Sequence, residues 1–136
     1  MESIFIRTEI EDDGSKSHKM YETVQWLIET AEVSDSIYDL ERALEMAEKI
    51  ESEVRRRAAF LDIAYAMLQF NQFDRSVQIV ERHIEDSYLA ALMLAEIAKK
   101  TERRKYLERA VSKASELQHD WLWKYTLKII IDYNTK

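Results

Sequence analysis

The sequence predicts an all-α fold built from a repeated helical hairpin, and three observations carry that reading. First, small and apolar residues recur at a fixed spacing: Ala31, Ala64, Ala98 and Ile131 are separated by 33, 34 and 33 residues. Leu40, Phe73 and Leu107 keep the same register, as do Arg42, Arg75 and Arg109, and then Ile50, Ile84 and Leu117. A period of this length marks stacked helical units, none of which buries its apolar face alone. Second, the 136-residue chain has no Pro and one Gly, so it lacks the turn chemistry that strands and hairpins need. Third, apolar residues recur with a period near 3.6 along most of the chain.

Taken in order, residues 1–18 stand apart as an N-terminal arm or truncated helix. Ile4 and Ile6 alternate briefly, and Ile10-Glu11-Asp12 echoes Ile50-Glu51-Ser52 and Ile84-Glu85-Asp86. From about Lys19 the helical period begins, with Met20, Val24, Leu27, Ile28 and Ala31 on one face, and a single repeat domain fills 19–136. Ser36, three residues before Asp39, has capping-box spacing and opens a second helix through Leu40, Leu44, Ala47 and Ile50. Ser52 or Glu53 opens a third, through Ala59, Phe60, Ile63, Ala64 and Met67. Asn71, three before Asp74, starts the fourth, with Phe73, Val77, Val80 and Ile84. Asp86 caps the fifth, with Leu89, Met93, Leu94 and Ile97. The sixth runs from about Glu102 to Leu117 through Leu107, Val111 and Ala114, and Asp120 caps the last, from Trp121 to about Tyr133. Connections this short make neighbouring helices antiparallel, giving three hairpins and one helix over. The stretch Ala58 to Asp86 is the central hairpin.

Composition excludes several classes of function. With no Cys, disulfides and thiolate metal sites are ruled out. Net charge is -6, which repels polyanions. Arg55, Arg56 and Arg57 point about 100° apart on a helix and form no stripe. The run Lys99 to Lys105 has no stacking aromatics interleaved, and Glu51, Glu53 and Glu102 lie near the two basic clusters, so nucleic acid is not an expected partner. The N-terminus carries no export leader, and the longest apolar run, Leu89 to Ala95, is too short to span a bilayer, so a cytoplasmic chain with no membrane partner is expected. Glu9, Glu11, Asp13 and Gly14 mimic the start of a calcium loop, but its twelfth position would be Met20 where a bidentate Glu is required. His18, His83 and His119 form no helical metal pair, and no phosphate loop or nucleophile with its base can be drawn from the spacing. The expectation is a non-enzymatic protein with no cofactor and no metal.

The hairpin resembles the tetratricopeptide repeat, a helix-turn-helix unit of 34 residues with bulky side chains at positions 4 and 7, a small one at 8, an aromatic near 17 and a small one at 20. Setting Ala64 at position 8 puts Phe60 at 4, Ile63 at 7, Phe73 at 17 and Ser76 at 20. The next unit gives Leu94, Ile97, Ala98, Leu107 and Ala110, and the preceding one Leu27, Thr30, Ala31, Leu40 and Ala43. Short side chains at 8 and 20 let two helix axes approach closely. The match covers about residues 24–134, and the chain departs from the family pattern at position 32, usually Pro, where it has Arg55, Tyr88 and Leu122. The resemblance implies a short right-handed α-α solenoid of about three hairpins plus a C-terminal capping helix.

In that family the first helix of each hairpin lines a concave groove. Carried over, the groove positions are Glu29, Glu32, Asp62, Tyr65, Gln69, Glu96, Lys99 and Arg103, with Glu29, Asp62 and Glu96 forming an acidic row. The resemblance thus implies a protein or peptide partner, plausibly a basic one. The last helix offers a different surface. Nine of its thirteen residues from Trp121 to Tyr133 are apolar, and Lys124, Lys128 and Asp132 fall within one stripe about 80° wide. Apolar surface left over on a repeat that stops halfway predicts a homodimer through Trp121, Trp123, Leu127, Ile130 and Ile131, unless the N-terminal segment, through Ile4, Phe5 and Ile6, folds back over it or the helix is buried deep in the domain.

Overall fold

The protein is described by a computed structural model covering residues 2–117 and 121–134, with side chains over 15–117 and 123–132. Among these residues seven α-helices and no strand occur: α1 (Glu2–Ser34), α2 (Ile37–Glu48), α3 (Glu53–Gln69), α4 (Phe73–His83), α5 (Ser87–Thr101), α6 (Arg104–Ser115) and α7 (Trp121–Asn134). The chain divides into two compact units, Met1–Phe70 and Asn71–Lys136. The division falls inside the stretch that the spacing marks as the central hairpin.

In the first unit α1 packs along α2, and α3 packs on both. Val24, Leu27 and Ala31 of α1, Leu40, Ala43 and Ala47 of α2, and Phe60, Ile63 and Ala64 of α3 are buried. α1 starts at Glu2 rather than near Lys19, so residues 2–18 continue the first helix. The calcium-loop spacing at Glu9 to Met20 therefore lies on helical backbone, which does not wrap ligands around an ion. The Ser52 backbone N–H donates to the buried Ser17 Oγ at 3.2 Å, setting Ser17 level with the start of α3. Ser52 also caps α3, its Oγ accepting from the Arg55 backbone N–H at 3.3 Å. Ser36 occupies the N-cap position of α2 without a side-chain capping bond.

In the second unit α5 is central: α4, α6 and α7 each pack on it, and α6 packs on α7. Val77 and Val80 of α4, Leu94, Ile97 and Ala98 of α5, Ala110 and Ala114 of α6, and Ile130 of α7 are buried. Asp86 caps α5 through the Leu89 backbone N–H at 3.1 Å. Two starts differ from the spacing. Asn71 takes a left-handed backbone (φ 62°) and the N-cap of α4 is Gln72, while Glu102 (φ 55°) ends α5 and α6 begins at Arg104. Asp35 ends α1 with the same φ of 55°, 67 residues before Glu102, so equivalent turns join α1 to α2 and α5 to α6. The expected cap Asp120 lies outside the described residues.

Candidate interaction surfaces

Along the face shared by α1 and α3, Asp62 Oδ2 accepts the Tyr21 hydroxyl at 3.0 Å and the Gln25 amide Nε2 at 2.6 Å. Burial, the bond to Asp62 and the negative charge of Asp62 together raise the Tyr21 pKa above its ordinary value. This clasp removes Asp62 from a free acidic row, because the carboxylate is half-buried and serves to hold α1 against α3. Glu29 and Glu32 are exposed and fall within about 40° of Gln25 on α1. Tyr65, 51% exposed, and exposed Gln69 fall within about 60° of Asp62 on α3. The first unit therefore brings Glu29, Glu32, Tyr65 and Gln69 to the face that carries the clasp.

The remaining groove positions belong to the second unit. Glu96 is half-buried on α5, and Lys99 and Arg103 are exposed at the α5–α6 turn. Arg103 stacks over the Phe73 ring at 5.8 Å, a cation–π contact that ties α6 to α4. Within this unit Glu96 is thus followed by a basic turn, where Lys100, Arg104 and Lys105 are also exposed.

Sequence reasoning missed Tyr106. The periodicity places Leu107 in the core, yet Leu107 is half-buried and Tyr106 is 2% exposed. Its hydroxyl donates to Asp74 Oδ1, to which Lys105 Nζ also points at 3.4 Å. These bonds, the tyrosine's first, lower the Asp74 pKa. An aromatic ring with one polar tip suits such a half-dry site, and that chemistry was the available signal. A shallow cleft of about 200 Å³ is lined by Glu81, Arg109, Ser112, Lys113 and Glu116. Arg109 pairs with Glu81 at 2.6 Å, Lys113 with Glu116 at 3.3 Å, and Ser87 donates to Glu116 at 2.9 Å. Both cations already face carboxylates, so the cleft ties helices together and leaves no seat for an anion. The Ser87 bond is the main reason that the Glu116 pKa is lowered.

On α7 the expected dimer residues separate. Ile130 is fully buried, so it belongs to the core and is not available to a partner. Trp123 and Leu127 are half-buried, while Ile131 is 47% and Tyr125 53% exposed. The Trp121 side chain lies outside the described part. Among the described residues Thr126 Oγ1 is the only buried side-chain oxygen or nitrogen without a hydrogen bond.

Among the described residues no group of three His, Asp or Glu is placed to hold a metal ion, and no helix is long and apolar enough to cross a membrane. Comparison with protein-family models, with curated proteins and with solved structures finds no match to this chain.

Proposed function

We propose that this chain is a non-enzymatic, cytoplasmic interaction module, a short tetratricopeptide-like solenoid that holds a basic peptide segment against its first helices. One observation supports the reading above others: α1 and α3 lie side by side, clasped by Tyr21, Gln25 and Asp62, and present Glu29, Glu32 and Tyr65 on that face. Two carboxylates on rigid helices beside an exposed aromatic ring recognise Lys or Arg side chains by charge and by cation–π stacking.

Titration of a fluorescent Lys-rich peptide by anisotropy tests it. Binding that weakens with salt and drops at least about tenfold in Glu29→Ala/Glu32→Ala, and by less in Tyr65→Ala, is the expected result. Peptide affinity unchanged in both variants, or no binding at low salt, overturns it. Asp62 is left intact, since its loss would damage the clasp.

A second reading, self-association through α7, is favoured by the exposure of Ile131, whose register equivalents Ala31, Ala64 and Ala98 are buried.

A further inference from the structure

Trp26, Thr30 and Val33 lie along one face of α1 at helical spacing. Trp26 is 59% and Val33 90% exposed, an unusual cost for a large aromatic and a β-branched side chain together. The repeat register shows what this face does elsewhere. Thirty-three residues on, Ala59, Ile63 and Ala66 of α3 are 0%, 0% and 3% exposed. On α5 the equivalents of Trp26 and Thr30, Met93 and Ile97, are buried while Lys100, at the position of Val33, is exposed, and on α7 Thr126 and Ile130 are buried. Each of α3, α5 and α7 packs on the helix before it, α2, α4 and α6 respectively. The α1 face is thus a helix-docking face left open.

A complementary opening exists on α7. Ile131 is exposed, and Leu127 is half-buried where its equivalents Leu27, Phe60 and Leu94 are buried. Carboxylates border the α1 opening and lysines the α7 opening. Glu22, which also meets His18 at 2.6 Å, and Glu29 flank Trp26 four residues before and three after, with Lys19 a further turn back, while exposed Lys124 and Lys128 share the stripe of Leu127 and Ile131, with Asp132 at its edge. The units that carry them differ in the same sense. Residues 1–70 hold 16 Asp and Glu against 8 Lys and Arg, a net charge of -8, and residues 71–136 hold 10 against 12, a net charge of +2.

We propose that copies of this chain associate head to tail: the Leu127/Ile131 face of α7 in one copy docks on the Trp26/Val33 face of α1 in the next, with Lys124 and Lys128 opposite Glu22 and Glu29. The contact is heterologous, joining two different surfaces, and so differs from a symmetric α7–α7 dimer. It rests on the self-association reading and not on the groove. Two apolar anchors with a charged rim give weak, salt-sensitive association.

Sedimentation and light scattering of the wild-type chain, from about 10 µM to about 500 µM at low salt, should show mass rising with concentration and falling back at high salt. Trp26→Lys faces the α7 lysines with a like charge, and Ile131→Glu does the same to the α1 glutamates. Each alone should weaken association at least tenfold, and their equimolar mixture should regain it, because one chain supplies an intact α7 and the other an intact α1. Thermal melts followed by circular dichroism verify that both variants fold, and Lys124→Glu/Lys128→Glu, at exposed positions, replaces Ile131→Glu if that one does not. A wild-type chain that stays monomeric throughout overturns self-association as a whole. Wild-type-like association of Trp26→Lys overturns the α1 docking alone and assigns the interface to paired α7 helices.

Discussion

The two units carry matching residues 67 positions apart, yet they join their helices by different chemistry. Leu27 and Leu94, Ala31 and Ala98, Ala43 and Ala110, and Ala47 and Ala114 are buried in both. At the seam between first helices, however, the first unit has Tyr21, Gln25 and Asp62 in a hydrogen-bonded clasp, and the second has Tyr88, Leu92 and Ile129 at the same register, all half-buried. The second unit has its polar ties between other helices, where Tyr106 and Lys105 hold Asp74, Arg109 holds Glu81, and Ser87 holds Glu116. The difference teaches that positions 67 residues apart can be buried alike while the seam beside them is polar in one unit and apolar in the other.

Removing a shared core side chain should have the largest effect. Leu27→Ala and Leu94→Ala are each expected to cost about 2–5 kcal/mol, read from the midpoint of urea unfolding. Trp26 reports the first unit, and Trp121 and Trp123 the second, in the fluorescence of variants that keep one set. A loss below about 1 kcal/mol at either leucine would break the equivalence of the two units.

The clasp sharpens the comparison. Asp62→Ile alone leaves the Gln25 amide and the Tyr21 hydroxyl without their acceptor, and should cost about 1–3 kcal/mol. Gln25→Leu/Asp62→Ile converts the seam to the pattern of the second unit and should recover most of that loss, measured by the same urea midpoints. A double variant no more stable than the single one would show that the two seams do not share a geometry.

Acid and base should distinguish the units with a smaller effect. Asp74 and Glu116 have lowered pKa values in the folded chain, so their contribution is present above the unfolded carboxylate pKa and is lost as pH falls through the folded value. Tyr21 has a raised pKa, so its contribution is present below the ordinary tyrosine value of 10.0 and is lost as pH rises through the folded one. Tyr106→Phe should therefore flatten the acid side of the stability profile and Tyr21→Phe the alkaline side, as measured by melting temperature across pH. Flattening on the wrong side in either variant would reverse the assignment of ties to units.

Much of this was legible in the residues. The capping of α3 by Ser52 and of α5 by Asp86, and the buried positions Leu40, Phe60, Ile63, Leu94 and Ile97, follow from local signals that a single sequence carries. Of the positions that the resemblance carries to a groove, Glu29, Glu32, Tyr65, Gln69, Lys99 and Arg103 are exposed and Glu96 is half-buried. Asp62 and Ile130 do not fit the surfaces drawn for them, and the reason is packing. The partners of Asp62 lie 41 and 37 residues away in the chain, and Ile130 differs from exposed Ile131 only by a 100° rotation about α7.

The sequence by itself determined the all-helical class and most of the core, because capping and the 3.6-residue period act between residues a few positions apart. Tertiary structure alone decided that the helix of residues 2–34 runs unbroken, that Tyr106 rather than Leu107 is buried, that Asp62 is tied, and that Trp26 and Ile131 stand open. Those outcomes depend on which faces of distant helices meet, and no local rule of spacing encodes the angle at which two helices cross.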